Sequence, residues 1–400
     1  MKIHHQTLLY DSFRYFFQGA LDIEFRTTIL LIAIKVFDMP MRYKATLMSV
    51  GYLSMLFTPV SLQLMNRSRW NPMQFSAFYF FVIAITLGIT VGLQNCLLFC
   101  MLTSIARICY KQQIPLMIGV YRNNYTETQR GFCVGIAFAC LATGGILFAH
   151  WSKNVLAENP NHFEPILLLS AVFSTLCALC FLKIPAQKIF YPQKPSLWAN
   201  FLLLKRDILF SKILFFWTLI AVATQMTMPL RVEYLASHRQ GLDLSAAHVL
   251  AILAVTQTVA RVLSAPLWGK FYDHVHFVTM RQCVTLCFTI GIPLFFLTDD
   301  LRVIQFANIL IGIGHGGGGI IWSLWVANIA PKDKVSDYMS ADTAIVGLRD
   351  GLAIWFGYIL LEHTTSYGIV SIVAFGLLLY SLWGFWHLRS AIQMRAQSVA

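Results

Sequence analysis

The chain has 400 residues, of which 57% are hydrophobic and 12% charged, and its formal net charge is +12. Its mean hydropathy is +0.64. Soluble domains run near 45–50% apolar and about 25% charged, so this composition excludes a soluble enzyme. The basic residues are scattered in short polar stretches and form no patch, which argues against a nucleic-acid partner.

A membrane span needs roughly 20 apolar residues to cross about 30 Å of hydrocarbon. Twelve such blocks follow in chain order, at about 17–36, 45–65, 73–92, 96–120, 130–150, 163–184, 211–232, 245–267, 282–298, 303–328, 339–361 and 367–387. They leave no room for a soluble domain, so the expectation is an all-α membrane protein of twelve transmembrane helices. Asp11 and Arg14 interrupt the N-terminal stretch where a cleavable signal would be apolar, so the first span is expected to stay as an anchor. The pieces are an N-terminal six-helix bundle at 1–184, a basic central loop at 185–210 and a C-terminal six-helix bundle at 211–400.

An even number of spans puts both termini on one side. Lys and Arg in alternate loops count 18 on that side, Arg14 and Arg281 among them, against 6 on the other, which include Lys44 and Arg231. Cytoplasmic loops hold the excess, so both termini are expected in the cytoplasm. The stretch LWANFLLLKRDILF in the central loop has apolar residues at helical spacing beside Lys205 and Arg206, a pattern for a helix lying on an anionic leaflet. The nine cysteines fall in or beside spans. Cys177 and Cys180 form a CxxC with no second pair and no nearby histidines, which reads as packing and gives no metal site.

Ionisable residues inside spans cost roughly 2.5–3.5 kcal/mol each on insertion scales and mark candidate sites. Span one carries Asp22, Glu24 and Arg26, and span four carries Arg107 and Lys111. Asp22 and Arg26 are four apart and can pair locally, whereas Glu24 points roughly 200° away from Asp22. Arg107 and Lys111 are like charges on one face and call for an anion between them. Three cations against two acids leave one positive charge, which suits an anionic or zwitterionic solute, because Arg offers a planar fork to carboxylate or phosphate. Arg26, Arg107 and Lys111 are therefore candidate substrate contacts. Asp22 and Glu24 are candidate proton carriers, with Glu24 favoured because it has no same-helix partner.

In span ten, six of the eight residues at 312–319 are glycine, and His315 lies among them. That density allows close helix approach or local unwinding. His315, Trp322 and, on span seven, Gln225 are further candidate contacts. Arg349 and Asp350 sit side by side in span eleven and diverge by about 100°.

The loop after span eight reads Pro266-Leu267-Trp268-Gly269-Lys270-Phe271-Tyr272-Asp273. Its Gly269 and Asp273 resemble the GxxxD core of the cytoplasmic loop signature of the major facilitator superfamily, with His274 in the basic position and Arg281 downstream. The corresponding loop after span two, Leu64 to Trp70, lacks the glycine and the acid. Residues 120–125, Arg130-Gly131 and Gly347–Gly351 are also similar to that superfamily, and the resemblance covers essentially the whole chain. It implies two pseudo-symmetric six-helix bundles, spans one, four, seven and ten around a cavity, and alternating access. It also implies a gating role for Gly269, Asp273, Arg281, Arg349 and Asp350.

The expected function is thus secondary transport of a small polar solute, likened to symport with protons, in a bacterial inner membrane, by a monomer without a cofactor. Drug-antiporter signatures are mostly missing. An exporter of a siderophore-like chelator or a drug, and a non-transporting sensor of the same fold, stand as alternatives. No HExxH or GxSxG motif points to an enzyme.

Overall fold

The computed structural model describes residues 3–68, 70–159, 162–187, 205–326, 329–330 and 335–399. Among these every regular element is helical. Helix α1 runs as Ile3–Ile23, a π turn at Glu24–Thr28 and Ile29–Lys35. Helix α2 joins Met41–Leu53, a 3₁₀ turn at Ser54–Phe57 and Thr58–Arg67. Then come α3 (Pro72–Thr90), α4 (Cys96–Asn124), α5 (Glu127–Glu158), α6 (Glu164–Lys183) and α7 (Ile208–Ala236). Helix α8 is Ala246–Leu250, a π turn at Ala251–Thr256 and Gln257–His274. The chain closes with α9 (Phe277–Phe296), α10 (Leu301–Leu324), α11 (Val335–Thr364) and α12 (Tyr367–Val399).

Among the described residues eight helices are long and apolar enough to cross a membrane: α3, α5 to α10, and α12. The other four, α1, α2, α4 and α11, are diluted by polar residues, and three of them carry the charges that sequence reasoning singled out.

The chain divides into two compact units. The first comprises Met1–Lys194 together with Leu235–Val255, and the second Pro195–Tyr234 with Thr256–Ala400. In the first unit α1 packs on α5 and α6, and α3 packs on α4 and α6. The start of α8 packs on α5 within this same unit. The α1–α5 contact depends on glycine: a Cβ at Gly144 would lie 1.9 Å from the Phe16 carbonyl oxygen. In the second unit α10 packs on α8 and α9, and α9 on α12.

Four expectations change. Helix α1 starts at Ile3 and not near residue 17, so Arg14 belongs to it and is fully buried. Lys44, Arg231 and Arg281, counted as loop cations, are helical and also buried. Residues 188–204 of the central loop, with most of its expected surface helix, lie outside the described residues, as do Lys332 and Lys334. All nine cysteines are free, and Cys177 Sγ sits 3.3 Å from the Arg14 carbonyl oxygen, inside a packed helix contact.

Candidate functional site

In the first unit the polar residues of α1 and α4 form two groups. The deeper-running one was not anticipated. Asp11 and Arg14 pair at 2.7 Å with no exposure to speak of on either side chain. Arg14 also donates to Gln18, to Gln113 Oε1 at 3.1 Å and to the Tyr121 hydroxyl at 3.3 Å, and its guanidinium lies 3.8 Å from the Tyr15 ring centroid. Tyr121 in turn donates to Asp11 Oδ2 at 2.8 Å. Asp11, Arg14 and Gln18 stand three and four residues apart on one helical face, which is the signal that sequence reading could have used.

The second group surrounds the π turn. There the Ile29 amide bonds to the Glu24 carbonyl, five residues back, so the Phe25 carbonyl loses its usual donor. Arg107 of α4 supplies a replacement: it donates to the Phe25 carbonyl oxygen and, at 3.1 Å, to that of Met48. Arg107 thus ties α4 to the backbones of α1 and α2. Lys111 lies 5.1 Å from the Tyr52 ring centroid and 5.8 Å from that of Tyr110. Asp22 and Arg26 form the local pair at 3.1 Å, with the Arg26 side chain 43% exposed.

Glu24 points elsewhere. It is fully buried, its Oε2 accepts from Ser170 of α6 at 3.2 Å, and its Oε1 has no hydrogen-bond partner among the described residues. An ionised carboxylate at such a place needs a cation or several donors to offset lost hydration.

The second unit holds another polar cluster. Gln225 of α7 donates to Asp350 Oδ2 at 2.9 Å, and Arg349 Nε donates to Asp350 Oδ1 at 3.1 Å. The Trp322 indole of α10 donates to Asp342 of α11 at 3.0 Å. Asp342 was missed as a candidate because it sits near the start of α11, where a loop acid was the simpler reading. Arg281 of α9 stacks over Trp217 at 3.9 Å and has Arg349 and Asp342 as charged neighbours. Its expected partner Asp273 has a side chain outside the described residues. Gly269 makes no close helix approach, since a Cβ there would meet nothing within 4 Å.

His315 packs edge-on against Phe288 at 5.0 Å. Around it the glycines serve packing and not unwinding, because α10 is continuous across them. A Cβ at Gly316 would fall 2.4 Å from Ser264 Oγ and 2.9 Å from the Arg261 carbonyl oxygen of α8.

Among the described residues no group of His, Cys, Asp and Glu is arranged to hold a metal ion.

The family model described as Major Facilitator Superfamily matches residues 94–354. A search of curated proteins by sequence finds no match. Solved structures similar to this chain include the nucleoside transporter NupG, at TM-score 0.75 and 13% identity over 97% of this chain and 100% of that one. The peptide transporter POT in complex with sulfate aligns at TM-score 0.74 and 12% identity over 97% and 95%. The inward-open xylose transporter XylE from E. coli aligns at 0.71 and 12% over 96% of each chain. At these identities the likeness establishes the fold.

Proposed function

The chain belongs to the Major Facilitator Superfamily, and on that premise we propose that this multi-pass membrane protein is a proton-coupled secondary transporter of a small anionic or zwitterionic organic solute, working by alternating access. The observation that carries the coupling is Glu24. A carboxyl group with no exposure and one hydroxyl partner is poorly provided for as an anion, and gaining or losing a proton is the simplest change of state open to it. Asp22, already paired with Arg26, is the secondary candidate.

Solute recognition is assigned to Arg26, Arg107 and Lys111 in the first unit and to Gln225, His315 and Trp322 in the second. Arg26 is the most accessible cation of its group, whereas Arg107 acts first by holding α1 and α2 through their carbonyls. Gating is assigned to Gly269 and Asp273 at the end of α8. Arg281, Arg349 and Asp350 keep α7, α9 and α11 in one arrangement through Trp217 and Gln225. The six-helix halves at 1–184 and 211–400 and the linker at 185–210 are the proposed working parts.

Removing the four buried cations from the loop counts leaves 16 against 4, since 18 and 6 each lose two. The bias survives, so both termini are placed in the cytoplasm of a bacterial inner membrane.

Proteoliposomes test the reading. With an inward proton gradient, the native protein should accumulate a carboxylate or amino-acid solute, and Glu24→Gln should lose accumulation while keeping counterflow exchange. Accumulation that survives Glu24→Gln removes the coupling role. Binding without any exchange would make the protein a sensor.

A further inference from the structure

The second unit buries more unmet hydrogen-bonding capacity than its own residues use. Arg281 is 4% exposed, and among the described residues no carboxylate lies within ion-pair distance of it. Its guanidinium covers Trp217, its nearest like charge is Arg349, and its Nε donor has no acceptor. Seven residues separate Asp342 from Arg349, so both lie on one face of α11. Asp342 is fully buried; Trp322 serves its Oδ2, and its Oδ1 has no donor. Arg349, 9% exposed, gives Nε to Asp350 and leaves Nη1 without an acceptor. The Trp325 indole N–H, stacked against Trp217 at 5.0 Å, is also buried without an acceptor.

These unmet groups are of two kinds. Two guanidinium N–H groups and one indole N–H require acceptors, and one carboxylate oxygen requires a donor. Formal charge already balances, with Arg281 and Arg349 against Asp342 and Asp350. A simple anion would satisfy the guanidinium groups but would set a negative charge against Asp342. A simple cation would do the reverse. A group with a carboxylate at one end and an ammonium at the other satisfies both kinds and adds no net charge to a buried, balanced cluster.

We propose that Arg281, Arg349 and Asp342 form a binding site for a zwitterionic amino carboxylate, with its carboxylate on the two guanidinium groups and its ammonium on Asp342. Trp322 is half-buried beside it, and one turn earlier on α10 a Cβ at Gly319 would meet nothing within 4 Å, so this flank is where a ligand enters without displacing packed side chains. The identity of the ligand as cargo rests on the transporter reading above, whereas its binding does not.

Equilibrium titration of the purified full chain with the common α-amino acids tests the site. At least one should bind, and its methyl ester and its desamino acid should each bind about tenfold or more weakly, since each loses one charged end. Arg281→Gln and Asp342→Asn should each weaken the amino acid by a similar factor, with Arg281→Lys retaining more affinity than Arg281→Gln. If Arg281→Gln does not fold, Asp342→Asn and Arg349→Lys carry the same comparison. The proposal is overturned if no α-amino acid binds, if the ester and desamino acid bind as well as the parent, or if the substitutions leave affinity unchanged. Binding without counterflow would remove the transporter reading and keep the site. Counterflow with binding indifferent to these substitutions would do the opposite.

Discussion

Two acids of α1 show how burial sorts charged side chains by their partners. Asp11 is as buried as Glu24 but has Arg14 at 2.7 Å and the Tyr121 hydroxyl at 2.8 Å, so it is a settled part of the scaffold. Removing one member of a buried ion pair strands the other, at a cost of about 3–5 kcal/mol, whereas replacing both by apolar residues of similar volume is often neutral. Arg14→Ala should therefore unfold at markedly lower denaturant than the native protein, and the double variant Asp11→Leu, Arg14→Met should recover most of the loss. Equal instability of the two variants would show that Gln18, Gln113 and the Tyr15 face matter more than the pair. Glu24→Gln should have little effect on stability by comparison, because Ser170 can still bond to the amide.

At the scale of helices, what the sequence made legible depended on hydropathy. The eight strongly apolar helices read directly as long apolar runs. Helix α1 was placed too late because Asp11, Arg14 and Gln18 look like loop residues until their common face is drawn, and Arg281 was misread for the same reason. The local pair Asp22–Arg26 was readable from spacing alone, but the π turn was not. Because of that turn, Arg107 serves a carbonyl on α1, a partner that a search for charge complements does not suggest.

The glycine run of α10 was legible as an anomaly with two possible meanings, and packing selects one. With Ser264 Oγ 2.4 Å from a Cβ at Gly316, Gly316→Val should push α8 away from α10 and cost on the order of 1–3 kcal/mol. Gly319→Ala, which meets nothing, should be close to neutral in the same melting experiment. If both variants melt like the native protein, the α8–α10 contact is looser than these distances state.

At the scale of the whole molecule, the segment Leu235–Val255 follows α7 in the chain yet belongs to the first unit. Two ion pairs anchor it there, Lys35 with Asp243 at 2.6 Å and Arg239 with Asp38. Asp38 and Asp243 both have positive φ, so each acid stands at a sharp bend that presents its side chain. The hydrogen bond and charge of Lys35 hold the Asp243 carboxyl below the usual carboxylate range. A carboxyl held low in the folded state contributes fully above its ordinary value, and the contribution is lost as pH falls through the lowered one. Both pairs are largely exposed and hence individually weak and screened by salt. Amide hydrogen exchange over 235–250 should therefore be slowest at neutral pH and low salt, and should speed up on acidification below the ordinary aspartate range or on addition of molar salt. Lys35→Met should give the faster exchange already at neutral pH and remove much of the acid dependence. Exchange that ignores pH, salt and Lys35→Met alike would assign the anchoring to the apolar contact of Ala246–Leu250 with α5.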